Sequence, residues 1–206
     1  APTAPIVLGC ENLSPELGPL AGVRIDNHAA AIEATRHLLD LGHRRIAFVN
    51  GWRGAGLTAD RERGFRDAMA AAGLDVDERR VVEGQLTTAG ATRAAGQLLG
   101  EPPLPTAIFC ATDEMAMGVM HGIRAHGLSI PEDISVVGFD DVRYAALLNP
   151  PLTTVAQPGE LIGERALVRM LSAIDGTDVD TTTEIVPHRL VVRQSTAACT
   201  AQSKGR

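Results

Sequence analysis

Three neighbouring segments decide the fold. They are A-I-F-C-A-T-D-E-M-A-M-G at residues 107–118, P-E-D-I-S-V-V-G-F-D-D at 131–141 and P-P-L-T-T-V at 150–155. Residues 107–111 and 134–139 are apolar runs of strand length, and a helical pattern separates them. Strands that are buried on both faces and separated by helices are typical of a parallel sheet. The pattern therefore predicts an α/β fold.

The ends of these two strands predict where a ligand binds. Ligands of open parallel sheets lie beyond the carboxyl ends of the strands, so Thr112 and Asp140 belong to the expected ligand edge. Asp113 is predicted to cap the helix Glu114–His126. Further upstream, the apolar pattern predicts a loop over Gly51–Asp60 and a helix over Arg61–Ala72.

Composition indicates a globular chain and excludes several classes of partner. With 45% hydrophobic and 21% charged residues over 206 positions, the sequence supports one large core or two modest ones. No window approaches the ~18 consecutive apolar residues of a membrane helix, and no signal-peptide pattern opens the sequence. Cys10, Cys110 and Cys199 stand at no metal-ligand spacing, so we expect reduced thiols, a cytoplasmic location, no metal and no cofactor. The net charge of −6 argues against DNA binding by these residues themselves.

Enzyme signatures are weak throughout the sequence. The segment G-W-R-G-A-G at residues 51–56 resembles a dinucleotide-binding loop, but it does not open a helix at the required spacing. No G-x-S-x-G nucleophile elbow and no H-E-x-x-H zinc motif occurs. We therefore predict that the chain is not an enzyme, and we interpret its six histidines as surface or capping residues.

Several further motifs, taken in order with the opening segments, resemble the effector-binding core of the LacI/GalR (lactose-repressor/galactose-repressor) family of bacterial transcription regulators. They are V-R-I-D-N at 23–27, H-L-L-D-L-G-H-R-R-I-A-F-V-N-G at 37–51, R-E-R-G-F at 61–65 and L-V-V-R-Q-S-T at 190–196. The resemblance covers roughly residues 5–196, and several motifs at matching spacing make a chance match improbable.

This resemblance implies a type I periplasmic-binding-protein-like fold, in which two α/β lobes enclose a ligand cleft. Residues 28–155 and 181–196 would form a nearly complete C-terminal lobe, and residues 1–27 and 156–180 part of an N-terminal lobe. Residues 197–206 are expected to be a disordered tail. The family's DNA-binding headpiece is absent from this sequence, so we expect a longer protein that carries it before residue 1.

The resemblance also implies five ligand-binding positions, Arg61, Asp140, Thr112, Leu86 and Gln157. The family's arginine and aspartate hydrogen-bond the ligand, whereas Thr112 replaces a frequent asparagine and Leu86 a frequent stacking Trp or Phe. Gln157 matches a glutamine at the lobe crossing. The residues alone leave simpler interpretations open, such as a solvated arginine in the first turn of a helix or a turn-forming aspartate. A cation is unfavourable in a first turn, which favours the ligand role of Arg61.

Apolar residues that spread over more than one face of the helix Glu114–His126 suggest a surface for a partner. In the family the matching helix and the segment before P-P-L-T-T pair across a two-fold axis. We therefore expect a homodimer whose interface includes Met115, Met117, Met120, Leu147 and Leu148.

These inferences favour a ligand-sensing and dimerisation core of a repressor that binds operator DNA through its headpiece. A sugar or sugar derivative is the first choice of effector, and a small nucleoside or carboxylate is the second. A secreted sugar-binding receptor of a transporter shares the fold and remains the alternative, and an enzyme that uses the glycine-rich loop is a third. What precedes residue 1, a helix-turn-helix or a signal peptide, distinguishes the first two.

Overall fold

The computed structural model describes residues 5–10, 20–52, 56–176 and 181–200. Its strands are β1 (Val7–Gly9), β2 (Ala21–Ile25), β3 (Ile46–Asn50), β4 (Val81–Glu83), β5 (Ala107–Cys110), β6 (Ser135–Asp140), β7 (Thr153–Ala156), β8 (Thr183–Val186) and β9 (Arg189–Val191). Its α-helices are α1 (Asn27–Asp40), α2 (Gly56–Ala71), α3 (Thr88–Gly100), α4 (Asp113–Ala125) and α5 (Gly159–Ile174). None of the helices in these ranges is long and apolar enough to cross a membrane.

The larger of two compact units comprises residues 27–156 and 189–206. Its six-stranded sheet has the order β4-β3-β5-β6-β7-β9, and every pair is parallel except the antiparallel pair β7–β9. Strands β3 and β5 are buried along their whole length, as expected for central parallel strands. The predicted α/β class is confirmed.

Glycines allow the helices of this unit to pack in close pairs, α1 with α2 and α3 with α4. A Cβ atom at Gly64 would lie 2.4 Å from the carbonyl oxygen of His28, and one at Gly118 would lie 2.2 Å from that of Thr88. Backbone is hard to displace, so any larger residue would push the helices apart. The pairing of α1 with α2 also sets the position of Arg61, which α2 carries.

The smaller unit comprises residues 1–26 and 157–188. It contains the parallel sheet β1-β2-β8, and α5 packs on β1 and β2. This division differs from the predicted one, which assigned residues 181–196 to the larger lobe. Strand β8 instead pairs with β2, from Thr183 beside Gly22 to Val186 beside Ile25, and only β9 joins the larger sheet.

Residues 197–200 of the predicted disordered tail are part of the fold, and residues 201–206 lie outside the described residues. The backbone N–H of Cys199 donates to the carbonyl oxygen of Leu41 (2.7 Å), and Nε2 of His43 lies 3.1 Å from the carbonyl oxygen of Ala197. His43 is buried, which lowers its pKa and corrects its interpretation as a surface residue. Its imidazole also hydrogen-bonds Thr106 and Ser135, so a buried polar network fixes the C-terminal segment to the core.

Candidate functional site

A buried arginine organises the carboxyl edge of the larger sheet. Only 2% of Arg61 is exposed, and its Nε donates to Oδ1 of Asn27 (2.9 Å). Its Nη1 donates to the carbonyl oxygen of Ala111 (2.5 Å), and its guanidinium carbon lies 3.6 Å from the centre of the Phe139 ring. Helix α2 begins at Gly56, so Arg61 lies in the second turn and not in the predicted first turn. The simpler interpretation of a solvated arginine is therefore wrong.

Asp140 presents a carboxylate beside this guanidinium. It is the last residue of β6, and its Oδ1 lies 3.5 Å from Nη1 of Arg61. Its side chain remains 30% exposed, whereas that of Arg61 is almost fully enclosed. A partly exposed carboxylate held by a buried cation can accept hydrogen bonds from the hydroxyl groups or N–H groups of a ligand.

The residue after Asp140 has a structural role. The carboxylate oxygen Oδ1 of Asp141 accepts from Nη2 of Arg193 at 2.6 Å, and Nη1 of Arg193 donates to the carbonyl oxygen of Leu152. This ion pair fixes Asp141 to the segment after β9.

The capping residue of α4 is Thr112 and not the predicted Asp113. The hydroxyl oxygen of Thr112 accepts from the backbone N–H of Met115 (3.2 Å), which leaves the hydroxyl proton able to donate to a ligand. Asp113 is fully buried and accepts from the Thr154 hydroxyl (2.6 Å) and the Val142 backbone N–H (2.9 Å). Burial raises the pKa of Asp113 to about 7, and these two hydrogen bonds partly oppose that rise.

Leu86 and Gln157 occupy different units. Leu86 follows β4 with a φ of 53°, and it packs against Gly51, where an added Cβ would lie 2.9 Å from its Cδ2. The only tryptophan of the sequence, Trp52, comes next after Gly51 and is 52% exposed. Gln157 is half-buried and opens the second segment of the smaller unit.

The expected dimer residues divide into buried and exposed ones. Met115 and Met120 lie in the core, and Met115 is so close to Gly84 that an added Cβ there would lie 2.7 Å from its Sδ. These two methionines therefore belong to the interior and not to a partner surface, because α4 turns that face towards its own unit. Leu147 is 78% exposed, and Met117 and Leu148 are half-buried.

The structure reveals site residues that the sequence analysis missed. Asn27 was quoted only as part of the motif at residues 23–27 and Phe139 only as part of an apolar strand, yet both contact Arg61. Asp113 was interpreted as a cap, although the neighbouring threonine is also among the preferred capping residues. Among the residues that the structure describes, no cluster of three or more His, Cys, Asp or Glu side chains could hold a metal ion.

Comparison with known sequences places this geometry in a family. A model described as a periplasmic binding protein-like domain matches residues 35–196. Catabolite control protein A of Priestia megaterium is 38% identical over 193 residues, which cover 93% of this chain and 58% of that protein. The HTH-type transcriptional repressor CytR of Escherichia coli K12 is 37% identical over 194 residues, which cover 94% and 56%. The chain thus spans less than two thirds of either relative.

Solved structures with similar folds belong to the same class of protein. The transcriptional regulator CelR in complex with cellobiose has a TM-score of 0.86 and 34% identity, over 92% of this chain and 58% of that chain. A LacI family transcriptional regulator from Enterococcus faecium with bound ribose has a TM-score of 0.84 and 28% identity, over 95% and 72%. Both are named as transcriptional regulators, a family not known to be enzymatic, which agrees with the prediction for this chain. The chain belongs to the periplasmic binding protein-like domain family and, within it, to the LacI-type transcriptional regulators.

Proposed function

We propose that this chain is the effector-sensing and dimerisation core of a cytoplasmic LacI/GalR-type repressor. The observation that carries the proposal is the pair of Arg61 and Asp140 at the carboxyl edge of the larger sheet. The buried guanidinium is held by Asn27 and Ala111, so it presents a fixed donor to the Asp140 carboxylate without covering it. A preformed polar pair at a sheet edge is a common feature of small-molecule sites.

A sugar or sugar derivative suits this pair best. Sugar hydroxyls can donate to Asp140 and accept from neighbouring donors such as the Thr112 hydroxyl. Leu86 offers an aliphatic surface on which a sugar ring can pack, although it has no aromatic face. The similar structures contain cellobiose in one regulator and ribose in another, which supports the same ligand class here. A small nucleoside or a carboxylate is the second choice.

The proposed mechanism links the effector to operator DNA. Ligand binding at this edge, with Gln157 contributing from the crossing segment, shifts lobe closure and so changes operator affinity through the headpiece of the complete protein. The alternative, a periplasmic sugar-binding receptor, shares the fold. We prefer the repressor because the similar proteins described above include a named repressor and two named transcriptional regulators.

Replacing Asp140 by alanine tests the ligand site directly. The change removes one charge-assisted hydrogen bond and leaves a ligand hydroxyl unpaired, so we expect affinity to fall by about tenfold to a hundredfold. Calorimetry on the full-length protein with a sugar panel that includes cellobiose and ribose measures this effect. Asp75→Ala, on the exposed loop after α2, is the matched control. Equal affinity of Asp140→Ala and wild-type protein would contradict the assignment.

The dimerisation part of the proposal rests on the exposed leucine at position 147. Leu147→Asp is expected to raise the dimer dissociation constant by about tenfold to a hundredfold, because a charge would have to be buried in an apolar contact. Sedimentation equilibrium of the full-length protein provides the measurement. Leu167→Asp, at an exposed leucine of α5, is the control. If both variants dimerise like the wild type, Leu147 lies outside the interface.

A further inference from the structure

The turn that carries Asp140 has an unfavourable backbone conformation. Asp140 has a φ of 118° and Asp141 a φ of 54°, both in the positive range that side-chain-bearing residues avoid. Such conformations are strained for a residue with a side chain, so the surroundings must stabilise them. Because Asp140 is the proposed effector-binding carboxylate, whatever holds the turn also determines where that carboxylate points.

A single carboxylate holds both backbone N–H groups that follow Asp140, one of them directly and the other through a hydroxyl group. Oδ2 of Asp113 accepts from the backbone N–H of Val142 (2.9 Å). Oδ1 of Asp113 accepts from the hydroxyl of Thr154 (2.6 Å), and the oxygen of that hydroxyl accepts from the backbone N–H of Asp141 (3.4 Å). Asp113 therefore holds one end of the turn directly and the middle of the turn through Thr154.

This carboxylate has a cost that capping cannot explain. Asp113 is fully buried, and Thr112 already caps α4. Gly138 makes room for it, since an added Cβ there would lie 2.2 Å from Oδ1 of Asp113. An apolar residue at position 113 would avoid the cost of removing a carboxylate from water. The stabilisation that offsets this cost must therefore come from the hydrogen bonds that Asp113 accepts.

We propose that Asp113 is a positioning residue, whose buried carboxylate fixes the left-handed turn that presents Asp140 to the effector. That Asp140 binds the effector rests on the proposed function, whereas the fixing of the turn by Asp113 rests on the hydrogen bonds described above. Arg193 holds Asp141 from the other side, and Arg61 binds the Asp140 carboxylate, so Asp113 acts on the backbone and the two arginines act on the side chains.

The sharpest test removes the bridging hydroxyl and leaves Asp113 in place. In the full-length Thr154→Val variant, we expect the backbone N–H groups of peptides spanning residues 139–145 to exchange roughly tenfold faster. Peptides from β3 should keep their wild-type exchange rate. Thr154→Ser keeps a hydroxyl and is expected to restore wild-type exchange. Thr92→Val, which removes a hydroxyl from α3, is the control and should leave residues 139–145 unchanged. Asp113→Ala should accelerate exchange further, provided that the variant folds.

Sugar binding supplies a separate readout. Cellobiose and ribose are titrated against the fluorescence of Trp52, and Thr154→Val is expected to bind roughly tenfold more weakly than wild type or Thr154→Ser. Wild-type exchange at residues 139–145 in Thr154→Val would overturn the proposal, as would an acceleration shared equally by β3. Unchanged sugar affinity in a variant with a loosened turn would also overturn it. If neither sugar, nor any other in the panel, binds wild-type protein, the proposed ligand class fails while the exchange result still decides the role of Asp113.

Discussion

Arg61→Met is expected to lower the free energy of unfolding by about 3–5 kcal/mol, because it leaves two buried acceptors without their donor, at about 1–3 kcal/mol each, and removes the cation beside Asp140. Methionine fills a similar volume but donates no hydrogen bond. The carbonyl oxygen of Ala111 and Oδ1 of Asn27 would lose their donor in the interior, and Asp140 would lose its cation. The favourable contact of the guanidinium with the Phe139 ring would also be lost.

Urea unfolding of the full-length protein, followed by circular dichroism, measures this loss. Arg63→Met is the matched control, because Arg63 lies two residues further along α2 and its side chain is largely exposed beside Asp60. An exposed ion pair contributes about 0–1 kcal/mol, so the control should be nearly as stable as wild type. Similar stabilities for Arg61→Met and Arg63→Met would show that the Arg61 network contributes little. The sugar affinity of Arg61→Met is expected to fall together with its stability.

The sequence predicts the α/β architecture better than the detailed arrangement of residues at the carboxyl edge of the larger sheet. The strands predicted over 107–111 and 134–139 are observed as the central strands β5 and β6, because continuous apolar runs have few alternatives to burial in a parallel sheet. The start of α2 was less predictable, since a glycine-rich segment favours a loop locally and tertiary packing extends the helix back to Gly56. The same applies to β8, whose short apolar pattern fits either sheet until its partner β2 is known.

In the candidate site, the sequence likewise predicts which residues take part better than it predicts where their side chains point. The family resemblance implied ligand-binding roles for Arg61 and Asp140, and the position of Asp140 at the end of a strand also favoured one. The structure brings the two residues together. The identity of the cap of α4 depended on which of two adjacent polar side chains turns towards the helix, and a sequence pattern does not contain that direction. Likewise, an apolar methionine on α4 suits either a core or an interface, and only the packing places Met115 inside.

Gly138→Ala is expected to destabilise the protein by about 3 kcal/mol, at the upper end of the cost of overpacking a core. In an open strand, replacing glycine by alanine would stabilise by roughly 0.5–1 kcal/mol, since glycine loses more conformational freedom on folding. Here the new Cβ would lie 2.2 Å from Oδ1 of Asp113 and 2.8 Å from Cδ2 of Leu152, both inside the core. The collision outweighs the entropic gain because the neighbours of β6 leave little room for Asp113 to move.

The clash between the new Cβ at position 138 and Asp113 would also affect the candidate site. If Asp113 is displaced, the Thr154 hydroxyl and the Val142 backbone N–H lose their acceptor, so the turn at Asp140 should loosen as well. Gly100→Ala, at the end of α3 with no neighbouring atom within 4 Å of the new Cβ, is the control and should be neutral or slightly stabilising. Urea unfolding and hydrogen exchange at residues 139–145 measure both effects. A Gly138→Ala protein as stable as Gly100→Ala would mean that Asp113 can shift at little cost, and that its hold on the turn is weaker than the geometry indicates.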